Sequence, residues 1–183
     1  EGLFKDKNSN LSFKKTTLKG NITNGISKNL KTTKLNLLEF ESKLNSGKLK
    51  GKLTIENFIQ PRYKYSGTVG FELKELKQLF QWKEVEKPDG RLDANLELTG
   101  VLGEVGKYDL EDWKNSKIAG KVKLSEIAFY YQNQPQYFSS ISGDLKFNNN
   151  SIEVDNLFGK IDETELNLNG KFNNLIGYLL EPD

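Results

Sequence analysis

Two acidic clusters hold the residues whose types and spacing could do chemistry: Asp109/Glu111/Asp112 and Asp162/Glu163/Glu165. Paired carboxylates can act as the acid and base of a glycosidase or offer hard oxygen ligands to calcium. Neither cluster shows the EF-hand order of Asp/Asn ligands around a Gly with a distal Glu, and each reads as a solvated turn. The chain has no His and no Cys. That removes every Ser-His-Asp type triad, the thiol nucleophile, the zinc cluster and the disulfide framework. No Gly-x-Ser-x-Gly elbow and no phosphate-binding Gly-Lys-Ser/Thr loop occurs. The expectation is a chain without catalytic residues, without a metal site and without a cofactor.

The 183 residues suit one domain or two small ones and suffice for a real core. Net charge is +2, too balanced for a global nucleic-acid binder. The charge is unevenly spread, however. Residues 1–64 carry 14 Lys+Arg against 5 Asp+Glu, and residues 65–183 carry 13 against 20. A basic end of this kind could meet anionic lipid head groups or simply complement the acidic half. Hydrophobic content is low at 36%, but aromatic content of 11% argues against disorder. No run approaches the roughly 20 apolar residues of a spanning helix. The absence of Met sets the expectation of a stretch taken from a longer protein, with any signal peptide or anchor outside it.

Apolar–polar alternation dominates the chain. It runs unbroken through Leu49–Ile55, Leu92–Leu98, Gly120–Leu124, Ile141–Phe147 and Leu166–Phe172. A period of two gives each strand one wet and one apolar face. Asn24-Gly25, Pro88-Asp89-Gly90 and Asn148-Asn149-Asn150 are predicted turns between the runs. Even, short spacing predicts an antiparallel meander. The recurrence of Leu73, Leu76, Leu79 and Phe80 predicts a short amphipathic helix over 74–83. Leu175, Ile176, Leu179 and Leu180 predict a further helical turn stopped by Pro182, and a loop or single turn is expected around Asp109–Trp113. Phe129-Tyr130-Tyr131 and Tyr137-Phe138 flank Gln132–Gln136 as a ring-rich hairpin. The strand-to-helix passage at Ser66–Phe80 has a counterpart at Leu166–Leu180, which divides the chain into two related units, about 1–90 and 91–183.

Within the strands, Gly-x-Φ-x-Φ (Φ bulky and apolar) recurs at Gly51-Leu53-Ile55, Gly67-Val69-Phe71, Gly120-Val122-Leu124 and Gly143-Leu145-Phe147, with variants at Leu18-Gly20-Ile22 and Leu168-Gly170-Phe172. Each Gly shares the apolar face. It either lets the sheet bend tightly or leaves room for a ligand. The phase of the alternation puts Leu53, Ile55, Val69, Phe71, Leu96, Leu98, Val122, Leu124, Leu145, Phe147, Leu166, Leu168 and Phe172 on one face of a curved sheet. One short helix cannot cover so long a face. It must be covered by more sheet, a partner or an apolar ligand. The fold class is therefore mainly β: a curved antiparallel meander with one or two short helices, either folded like an open taco around a groove or sandwich-like.

The sequential pattern Gly143–Phe147, Ser151–Lys160, Glu165–Phe172 resembles the repeat of the AsmA-like C-terminal region, related to TamB and the bridge-like lipid-transfer proteins. Gly51–Leu76 resembles it more loosely, the likeness spans about 45–180, and residues 1–44 share only their strand-like character. The resemblance implies a non-enzymatic periplasmic β domain of a protein anchored in the inner membrane by a segment outside this chain. Such a domain would shield or conduct the acyl chains of phospholipid or another lipid along the thirteen-residue face, in support of outer-membrane lipid homeostasis or assembly. It carries no catalytic residues and implies no nucleic acid. The alternative is a cell-surface β-sandwich that binds glycan or a protein partner through Trp82, Trp113 and the Tyr/Phe cluster.

Overall fold

The computed structural model describes residues 4–5, 12–44, 46–80, 82–102, 116–132, 134–149 and 151–173. They form one open antiparallel sheet in which spatial order equals chain order. The strands are β1 (Phe4–Lys5), β2 (Ser12–Thr23), β3 (Lys34–Leu44), β4 (Gly47–Glu56), β5 (Arg62–Glu72), β6 (Val85–Val101), β7 (Lys117–Tyr131), β8 (Tyr137–Asn148), β9 (Ser151–Ile161) and β10 (Thr164–Asn173). β1 is a two-residue edge piece beside nine long strands. One helix, α1 (Leu73–Phe80), links β5 to β6. The described strands make a single antiparallel meander that does not close on itself, with one short helix, which is the mainly β class predicted. Position 90, the expected join between two units, lies inside β6.

Each predicted alternating run falls inside a strand, because period two lets one face dry while the other stays hydrated. Two expectations need correction and two lie outside the described residues. Pro88-Asp89-Gly90 is not a turn. It sits within β6 at two register shifts against β7, where Pro, which has no N–H to donate, is tolerated at a bulge. The helix starts one residue earlier than predicted and ends at Phe80, with the Trp82 N–H bonded to the Lys77 carbonyl five residues back at 3.1 Å. The C-terminal turn at Leu175–Leu180 and the loop at Asp109–Trp113 lie outside the described residues.

Bulges bend this sheet. Register shifts place an extra residue in β2 (at Lys15), β3 (at Leu38), β6 (at Lys87), β7 (at Glu126), β8 (at Ser140) and β9 (at Asn156). All of these except Leu38 have positive φ. A bulge kinks its strand and sharpens the local twist, so bulges on consecutive strands β6 to β9 curl that half of the sheet. Two of the N–H groups a bulge would orphan are met by side chains from the next strand. The Glu126 N–H donates to Ser142 Oγ at 2.9 Å, and the Asn156 N–H donates to Asn169 Oδ1 at 2.7 Å.

Packing is concentrated at one end. Leu73 of α1 meets Ile127 and Ile141, with Leu92, Leu124, Phe129, Phe138 and Leu157 around them. The helix thus seals the sheet's apolar face at the end where β5 stops and β6 begins. Glu75 fixes this seal. The residue is 2% exposed, and its carboxylate accepts the Glu72 N–H at 3.1 Å and the Ser46 N–H at 2.9 Å. The first bond is the acidic half of a capping box, and the second ties the helix start to the β3–β4 turn.

Candidate functional site

Cross-strand partners in an antiparallel ladder point to the same side. Leu53 pairs with Tyr65 and Tyr65 with Leu98; Ile55 pairs with Tyr63; Leu49 pairs with Val69 and Val69 with Ala94; Phe71 pairs with Leu92 and Leu92 with Leu124. Further along, Leu96 faces Gly67 and Gly120, Ala94 faces Val122, Val122 faces Leu145, and Gly120 faces Phe147. Phe147 continues to Ile152 and Phe172, and Leu168 and Leu166 lie opposite Leu157 and Gly159. All thirteen residues singled out from the sequence therefore lie on one face, which is also the face that α1 covers at its end.

Their burial is graded. Val122 is buried, and the other twelve are half-buried. Among the described residues the buried hydrophobic side chains are few: Tyr65, Leu73, Val122, Ile127, Ala128, Ile141, Ile152 and Val154. Away from the helix the face is lined by neighbouring side chains but has no second layer over it among the described residues. At the β2 edge Leu18 and Ile22 are exposed outright.

The glycines do not supply the free space the sequence left open as a possibility. Gly51 and Gly67 pair directly across β4 and β5. A Cβ on Gly51 would stand 3.0 Å from Tyr65 Cε2, and one on Gly67 would stand 2.6 Å from the Tyr65 hydroxyl. The Tyr65 ring therefore covers the glycine pair, and its hydroxyl donates to the carbonyls of Lys50 (3.0 Å) and Thr68 (3.2 Å). Burial pushes the Tyr65 hydroxyl up to about 12. Gly120 has φ +138, and a Cβ there would strike the Asn95 carbonyl and the Leu96 backbone. These glycines allow close backbone approach in a bent sheet, which is the first of the two roles expected for them. Gly170 differs, since the nearest atom to its Cβ position is the Phe172 ring at 3.8 Å.

The opposite face is a lattice of charge. Lys34–Glu56 (2.6 Å), Lys48–Glu41 (2.9 Å), Arg91–Asp93 (2.8 Å) and Lys146–Glu153 (3.3 Å) bridge it. Lysine contacts hold the Glu41 and Glu56 carboxyls below the usual range, Lys48 acting on the first and Lys34 on the second. Exposed pairs of this type contribute little stability each. They keep the outer surface wet and leave the inner one as the candidate surface.

The candidate chemistry is accounted for as follows. Asp162 Oδ1 accepts the Tyr137 N–H at 2.8 Å, so that carboxylate ties two turns together. Among the described residues no group of three or more His, Cys, Asp or Glu could hold a metal. Asp109, Glu111, Asp112 and Trp113 lie outside the described residues. The aromatic hairpin packs across its strands: Phe129 stacks on Phe138 at 4.9 Å, Tyr130 on Tyr137 at 4.6 Å, and Lys87 Nζ sits 5.2 Å from the Tyr130 ring centre. No helix among the described residues is long and apolar enough to cross a membrane.

Sequence reasoning missed Tyr65, Glu75 and the bulges. Tyr65 stands two residues before Gly67 on the same face, and that spacing was the available signal. Glu75 lies three residues after Glu72, the helix N-cap, where a capping carboxylate belongs. No protein-family model, curated protein or solved structure matches the chain.

Proposed function

We propose that this chain is a non-enzymatic segment of an AsmA-like envelope protein, and that its apolar face shields lipid acyl chains. The reading includes a periplasmic setting and an inner-membrane anchor outside this stretch, both taken from the resemblance at Gly143–Phe172. The observation that carries the acyl-chain part is the mismatch between face and cover. Nine long strands present a mainly apolar side, interrupted at the buried Ser42, and one eight-residue helix covers one end of it. An uncovered apolar strip of this extent costs free energy in water unless something apolar lies on it. Acyl chains suit a surface that is long and half-buried and whose central hydroxyl, on Tyr65, is already bonded to the backbone, since they need no hydrogen bonds and adapt to uneven relief.

The test is extraction of the purified chain, produced with a diderm bacterial envelope present, into organic solvent followed by mass spectrometry. Co-purifying phospholipid or fatty acid in near-stoichiometric amount is expected for the wild type. Leu168→Asp should reduce it strongly. A lipid-free wild type that also fails to take up acyl chains from micelles contradicts the reading, and leaves the face to a further stretch of sheet or a protein partner.

A further inference from the structure

The end of the sheet away from α1 carries a second feature. The β2–β3 loop and the β4–β5 turn lie side by side there, joined by the Phe58 N–H to the Leu30 carbonyl (2.8 Å) and the Asn57 N–H to the Thr33 carbonyl (3.0 Å). The pair is internally tied. Asn29 Oδ1 accepts the Thr32 N–H at 3.0 Å, capping a short 3-10 turn at Leu30–Thr32, Thr33 Oγ1 donates to the Asn29 carbonyl at 2.8 Å, and Asn57 Oδ1 accepts the Gln60 N–H at 3.3 Å. This well-bonded tip holds three aliphatic side chains in water: Ile26 is 102% exposed, and Leu30 and Ile59 are each 60% exposed. Polar loop residues would be the ordinary choice at such a tip. Lys28, Lys31, Lys34 and Arg62 flank the three, and among the described residues of these two loops and their strand ends the one acid, Glu56, is bridged to Lys34.

We infer that this tip docks the domain onto an anionic lipid surface, with Ile26, Leu30 and Ile59 entering the interface and Lys28, Lys31 and Arg62 meeting head groups. Aliphatic residues at the point of a loop with a basic collar fit a bilayer, which takes separate side chains at shallow depth and attracts cations. They fit a protein partner less well, because three projecting side chains on a loop point offer no flat complementary area of interface size. The inference goes beyond acyl-chain shielding and stands without it, since the tip is a different surface from the strand face.

The experiment is sedimentation of the purified chain with vesicles of equal parts phosphatidylglycerol and phosphatidylcholine, and with pure phosphatidylcholine. Wild type is expected to bind the anionic vesicles, with binding weakened by salt. The triple variant Ile26→Ser/Leu30→Ser/Ile59→Ser should lose more than about tenfold in binding while its melting temperature stays unchanged, because these side chains are exposed. Lys28→Glu should lose at least about fivefold on the anionic vesicles. Tyr131→Ser, an exposed ring at the helix end of the sheet, should bind like wild type. Leu168→Asp should also bind like wild type, which separates this result from the acyl-chain test. Absence of wild-type binding to anionic vesicles overturns the inference, and so does full binding by the triple variant. So too would a triple variant that loses only self-association, since the tip would then be a contact between copies.

Discussion

Gly120 opens a Gly-x-Φ-x-Φ run and Gly170 sits inside its variant Leu168-Gly170-Phe172; both lie on the inner face but meet different surroundings. At Gly120 the positive φ and the adjacent Asn95–Leu96 backbone both exclude a side chain. Gly120→Ala is expected to cost about 1–3 kcal/mol, read from urea unfolding midpoints. At Gly170 no atom stands closer than 3.8 Å to the new methyl, so Gly170→Ala should stay within about 0.5 kcal/mol of wild type. Equal effects at the two sites would contradict the close-approach account. Tyr65 gives a pH test at the same scale. Its folded-state hydroxyl titrates near 12, above the ordinary value near 10. The folded chain therefore holds this proton more tightly than the unfolded chain. Its contribution to stability is complete below about pH 10 and is lost as pH rises toward 12. Melting curves taken through that window should fall less steeply for Tyr65→Phe than for wild type, and parallel falls would contradict the assignment.

Among the elements, α1 depends on a single carboxylate. Glu75 is buried and satisfies backbone N–H groups on two separate segments. Glu75→Ala leaves both donors without that acceptor and should cost about 2–4 kcal/mol, with Glu75→Gln costing less because one oxygen remains. Thermal unfolding measures both, and a near-neutral Glu75→Ala would show that α1 is not anchored this way. The elements also show what was legible in the sequence and why the rest was not. The long strands could be read because alternation survives wherever one face is dry. The bulges could not, because an extra residue looks like an error in that alternation. Leu124-Ser125-Glu126-Ile127, Phe138-Ser139-Ser140-Ile141 and Val154-Asp155-Asn156-Leu157 each place two polar residues between apolar ones. Each is a strand that keeps its inner face by adding a residue. Pro88-Asp89-Gly90 was misread for the same reason, since turn residues also serve a bulge inside a long strand. The covering role of Tyr65 depends on the Gly51–Gly67 pairing across strands, which no local pattern contains.

The molecule as a whole is a bent sheet with a charged outer face, an apolar inner face sealed by α1 at one end, and an aliphatic, basic tip at the other. The thirteen inner residues share one face by register, and acyl chains are the cover we propose for it. Photo-crosslinking with a diazirine fatty acid, followed by peptide mapping, tests this most directly. Label is expected on inner-face positions such as Leu53, Leu96 and Leu145, with little on the outer-face neighbours Lys52, Glu97 and Lys146. Leu168→Asp should lower labelling with little change in melting temperature, because a carboxylate on an open face stays hydrated. Absence of label from the wild type would contradict the account, as would label spread equally over both faces. A Leu168→Asp chain that unfolds outright would also contradict it, because an unpaired carboxylate is that costly only in a closed, dry core.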